Sequence, residues 1–118
     1  MLRALICVGT LAVPLAAHAL TGDELTKLCT RTDVASRAAC KGYVQGVADG
    51  VYNTIDAIGG TTGPRVGQYF CLRAETKAES MIDAVRKYVA DNPGAGKYNA
   101  STVISLGLGK AFPCKVGD

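Results

Sequence analysis

Cys29, Cys40, Cys71 and Cys114 constrain this chain more than any other feature. A fifth cysteine, Cys7, lies in the N-terminal stretch MLRALICVGTLAVPLAAHA. That stretch carries one early charge, Arg3, an apolar run from Ala4 to Leu15, and a small-x-small ending at Ala17-His18-Ala19. The pattern predicts a secretory signal peptide over residues 1–19, cleaved after Ala19. The run is too short to span a bilayer comfortably, and Ile6 is too bulky for a lipoprotein cleavage site before Cys7. An even number of cysteines in a short exported chain reads as a disulfide framework. The alternative, a four-thiolate zinc site, normally uses close C-x₂₋₄-C pairs, whereas the gaps here are 11, 31 and 43. Four cysteines allow three connectivities, and sequence alone does not choose among them. The preferred pairing is Cys29–Cys40 with Cys71–Cys114. The first bridge would close the turn between two consecutive helices, and the second would tie the middle of the chain to its end.

Cleavage would leave residues 20–118, a length suited to one small domain. Removing Arg3 from the 13 Lys and Arg leaves 12 against 10 Asp and Glu, a net charge near +2. The charges are scattered without a basic stripe, so nucleic acid is not an expected partner. No second stretch is long and apolar enough to cross a membrane, so none is expected to hold the cleaved chain. His18 is the sole histidine and would leave with the leader. Without it, Ser–His and Cys–His nucleophile pairs and His-based zinc sites are excluded. No catalytic, cofactor or metal residues are assigned, and an enzyme is the least expected class.

Periodicity reads as helices throughout. Thr21 and Glu24 have capping-box spacing ahead of a short helix ending near Cys29. Thr32 or Asp33 can cap a second, long helix. Its stripe is Cys40, Val44, Val47, Val51, Ile55 and Ile58, and Gly59-Gly60 stops it. Gly63-Pro64 marks a turn, and Gln68 to Leu72 reads as an ordered loop held by Cys71. Thr76 and Glu79 repeat the capping-box spacing before a third helix with Ala78, Met81, Ile82, Val85 and Val89 on its buried stripe. Asn92-Pro93 ends it. After the connection NPGAGK, Asn99 or Ser101 can cap a last helix bearing Val103, Ile104, Leu106, Leu108 and Ala111, halted by Pro113. The expected fold class is all-α, a small bundle of about four helices stapled by two disulfides.

The stretch CKGYVQGVADG places Gly42, Gly46 and Gly50 four apart on the longest helix. Each glycine costs a helix about 1 kcal/mol relative to alanine. The run lacks the G-K-[ST] ending and the preceding strand of a phosphate loop, and Lys41, Gln45 and Asp49 interrupt it as a membrane seam. Close backbone packing within the fold is the expected explanation. In the functional alternative, the glycines and Asp49 bound a recess for a partner. Tyr43 and Tyr52 read as half-buried packing residues, and Asp49 and Asp56 as a solvated face.

These segments, from LC through CKGYVQGVADG, YFCL, YVADNP and KAFPC, together resemble the Rap/Tai family of type VI secretion immunity proteins from about Leu25 to Cys114. The resemblance implies small periplasmic helical proteins held by disulfides and often homodimeric. It implies a role in binding and blocking a cognate peptidoglycan amidase effector delivered by neighbouring cells. Export fits that role, because the toxin acts in the periplasm. The motif is mostly scaffold, so recognition is expected on the variable connections GGTTGPRVGQ and NPGAGK. Two alternatives are a periplasmic acid-stress chaperone of the HdeA type and an envelope interaction module with no toxin.

Overall fold

Thr21 starts the fold as its spacing predicts. In the computed structural model, which describes residues 19–59 and 70–115 and omits the side chains of 54–59, Thr21 caps helix α1, Gly22–Thr30. The Glu24 N–H donates to the Thr21 hydroxyl at 3.2 Å, and the Thr21 N–H donates to the Glu24 carboxylate at 2.8 Å. This reciprocal box satisfies two of the donors that a helix start leaves open. Residues 1–18 of the expected signal peptide, the Gly63-Pro64 turn and residues 60–68 of GGTTGPRVGQ lie outside the described residues.

Helix α2 follows over Val34–Gly59, with α3 over Ala78–Asp91 and α4 over Ala100–Ala111. Among the described residues no strand forms; one isolated bridge joins Thr21 to Asn99. NPGAGK closes into a 3₁₀ turn, Pro93–Lys97. The all-α expectation therefore holds, and both preferred disulfides, Cys29–Cys40 and Cys71–Cys114, are present. Chain-entropy arguments give about 3 kcal/mol for the shorter loop and about 4 kcal/mol for the longer.

The core is where the apolar stripes meet. Leu25 of α1, Cys40, Val44 and Ala48 of α2, Met81, Ile82, Val85 and Val89 of α3, and Val103, Ile104 and Leu108 of α4 form one buried cluster. Phe70 closes it from the connection before α3. Val47, Val51 and Tyr52 border this cluster as partly buried residues. Tyr52 is the packing residue its spacing suggests: its ring meets Phe70 edge-on at 5.6 Å. Its hydroxyl accepts the Leu72 N–H at 2.6 Å and donates to the Phe70 carbonyl at 3.4 Å. Together with the Cys71 N–H on the Phe112 carbonyl at 2.9 Å, this pins the 70–72 segment across the ends of α2 and α4.

Two expected caps differ. Thr76 does not cap α3; the residue at that position is Lys77, with no side-chain cap bond. The Thr76 hydroxyl instead accepts the Arg73 N–H at 3.1 Å, and the Thr76 N–H donates to the Arg73 carbonyl, so a local turn uses the groups a capping box needs. Asn99 occupies the cap position of α4, but its side chain makes no cap bond.

Asp33 caps α2. Its carboxylate accepts the Ser36 N–H at 3.0 Å and the Arg31 guanidinium at 3.1 Å. The Ser36 hydrogen bonds, with a smaller contribution from Arg31, hold its pKa down at about 2, against an ordinary 3.8. A depressed carboxylate pKa contributes stability that is complete above the unfolded value and lost as pH falls through the folded one. The expected result is an Asp33 contribution that is constant above about pH 4 and fades towards pH 2. Thermal melts of wild type and Asp33→Asn across that range check it: the difference between the two curves should shrink only below about pH 4.

Candidate functional site

The glycine run of α2 does not pack inside the fold. Gly42 and Gly46 are exposed, and a Cβ built on either meets no atom within 4 Å. Gly50 likewise has no atom within 4 Å of its Cβ position among the described residues. The reason is helical geometry. Cys40, Val44 and Ala48 step by four, as the glycines do, but the two rows are offset by two residues. At about 100° per residue that offset puts the rows on roughly opposite sides of the helix. Burying the first turns the second outward. Tyr43, between the rows, is half-buried against the core, and Asp49 is exposed beside the glycines. The side chain of Asp56 lies outside the described residues. The sequence motif thus brings no constellation of chemical groups together.

Close approach falls instead on Gly22, Gly96 and Gly107, which periodicity did not single out; a Cβ on Gly96 would fall on the Asp23 carboxylate. A Cβ on Gly107 of α4 would lie 3.1 Å from the Val85 Cα and 3.3 Å from the Tyr88 Cβ of α3. One on Gly22 would lie 2.9 Å from a Val103 methyl and 3.1 Å from the Ala95 carbonyl oxygen. The only sequence hint at Gly107 is the LGLG run inside an apolar helix.

Gly22 seats α1 on the connection between α3 and α4. The Gly22 N–H donates to the Tyr98 carbonyl at 2.8 Å, and the Ala100 N–H donates to the Leu20 carbonyl at 2.7 Å. The Tyr98 N–H donates to the Ala95 carbonyl at 2.9 Å, and Ala95 and Gly96 are buried beneath α1. The connection therefore has a fixed backbone, tied on both sides of Tyr98. Its side chains point the other way: Lys97 is exposed, and Tyr98 is 52% exposed. A large aromatic held outward on a rigid backbone is the form in which Tyr contributes most at protein interfaces, because little freedom remains to be lost on binding.

Among the described residues, two grooves border α4. One, of about 550 Å³, lies between α3 and α4 where Gly107 lacks a side chain. Its floor is Ala84, Tyr88 and Ala111, and Lys87, Asp91 and Lys110 line its edges, with Lys87 and Asp91 paired at 2.9 Å. The other, of about 480 Å³, lies between α2 and α4 and has no charged lining: Val47, Val51, Ser101, Thr102, Ser105 and the exposed Leu106. The Ser105 hydroxyl is used within α4, donating to the Ser101 carbonyl at 3.0 Å. Among the described residues no group of three His, Cys, Asp or Glu side chains is placed to hold a metal ion. None of the described helices is long and apolar enough to cross a membrane.

The family model described as Rap1a immunity proteins matches residues 21–114. The matched span runs from the capping threonine of α1 to the last disulfide cysteine. No curated protein and no solved structure matches the chain.

Proposed function

Because the chain belongs to the Rap1a immunity protein family, we propose that it is an exported antidote that binds and blocks a cognate type VI peptidoglycan amidase effector in the periplasm. The family match carries this reading. The leader-like residues 1–19 and two disulfides, which persist in oxidising compartments, support the periplasmic location. Binding alone suffices, because an antidote that covers the effector's substrate cleft needs no catalytic group of its own. The proposed contact is centred on the Pro93–Tyr98 connection, with Tyr98 as its aromatic anchor and Lys97 beside it. The segment 60–69 is proposed to add specificity. Homodimerisation is a further proposal, tested by the mass of the free protein in solution.

Co-expression with the product of the adjacent gene, followed by affinity capture, tests the reading. The two proteins should co-purify in equal amounts. Tyr98→Ala should weaken the complex about tenfold or more while leaving the melting temperature within a few degrees of wild type, since the side chain is exposed. An intact complex with unchanged affinity for Tyr98→Ala would move the contact elsewhere. Failure of the wild-type pair to associate would sink the immunity reading itself.

A further inference from the structure

The two disulfides are chemically unequal. Cys40 is 2% exposed and belongs to the core cluster, with the half-buried Cys29 packed against that cluster. The space beside this pair is a small pocket of about 50 Å³ lined by Arg37, Glu79, Asp83 and Arg86, among others. That volume takes a water or two and leaves little room for an attacking thiol. The other pair sits in non-helical backbone, with Cys114 exposed and Cys71 half-buried. Attack on a disulfide needs a thiolate to reach one sulfur in line with the bond, so access governs which bridge exchanges in the folded protein.

From this we infer that Cys71–Cys114 is a thiol–disulfide exchange site open to an external dithiol in the native state, whereas Cys29–Cys40 is shielded. The attacking thiolate bonds to the exposed Cys114 sulfur, and Cys71 leaves as a thiolate that takes up a proton. The second thiol of the reagent then attacks the mixed disulfide, closes its own ring and releases Cys114, which is protonated in turn. Two electrons and two protons pass from the dithiol to the cysteine pair. The Cys71 N–H to Phe112 carbonyl bond and the Tyr52 hydroxyl to Leu72 N–H bond do not depend on the bridge and hold the opened ends close enough to reclose. The natural reagent class is a C-x-x-C dithiol of the thioredoxin type, which could open the bridge or, in its disulfide form, close it.

The test exposes the oxidised protein to dithiothreitol under native conditions, quenches at short times with iodoacetamide and maps labelled peptides by mass. At the earliest times, when only a few per cent of the chains have reacted, labels at Cys71 and Cys114 should exceed those at Cys29 and Cys40 by about tenfold or more. In guanidinium, where burial no longer shields either bridge, the preference should largely vanish. Equal early labelling of all four cysteines, or earlier labelling of Cys29 and Cys40, would overturn the inference.

Discussion

Gly107→Leu is expected to lower stability by about 1–3 kcal/mol, the typical range for an overpacked core site. For a domain of this size that is roughly 4–24 °C in melting temperature. The Cβ position of Gly107 already stands 3.1 Å from backbone of α3, at the Val85 Cα, and backbone cannot swing aside as a flexible side chain can. A leucine must push α3 and α4 apart along the face where Val85, Val103 and Ile104 are buried. Gly46→Ala is the matched control. It adds a methyl group where no atom lies within 4 Å, so helix propensity acts alone and stability should rise by about 0.5–1 kcal/mol. Thermal or denaturant melts of the two variants check both signs. A Gly107→Leu variant as stable as wild type would mean that α3 and α4 do not meet as described.

The second large effect concerns location. Expression of the chain without residues 1–19 is expected to abolish protection of cells against the effector, an all-or-none change in survival. Two causes act together. A chain retained in the cytosol would not meet the proposed peptidoglycan amidase in the periplasm. Reducing conditions there also deny it both disulfides, worth about 3 and 4 kcal/mol by the loop-length argument, against a total stability of about 5–15 kcal/mol for a typical domain. A foreign Sec signal fused to residue 20 should restore survival, which separates loss of export from loss of the leader itself. Full protection by the leaderless chain would contradict the periplasmic assignment.

Much of the fold is legible in the chain. The buried rows of α2 and α3 follow from three- and four-residue steps of Val, Ile and Met, and the α1 cap from Thr21 and Glu24. The short Cys29–Cys40 spacing suits the turn between α1 and α2. Thr76 shows where pattern reading stops: the same T-x-x-E spacing stands at both helix starts, but a nearby Arg73 backbone competes for the hydroxyl. The glycines of α2 show a different failure. Their offset from Val44 and Ala48 is readable and puts them on the far side of the helix; the step from glycine to close packing is what does not hold. The glycines that do permit close approach, Gly22, Gly96 and Gly107, owe it to neighbours far along the chain: Ala95 and Val103 for the first, Asp23 for the second and Val85 for the third. Beyond the LGLG run at Gly107, nothing local marks them. The candidate contact was legible only as a connection. That Tyr98 stands outward on a clamped backbone depends on hydrogen bonds from Gly22 and the buried Ala95–Gly96 turn, which no periodicity encodes.

Inhibition by binding is measured as the rate of peptidoglycan amide cleavage by the purified cognate effector while the oxidised, leader-free chain is added. Activity should fall linearly and reach zero near one equivalent, as for a tight antidote covering a cleft. Undiminished cleavage at a large excess of correctly disulfide-bonded protein would contradict inhibition by this chain.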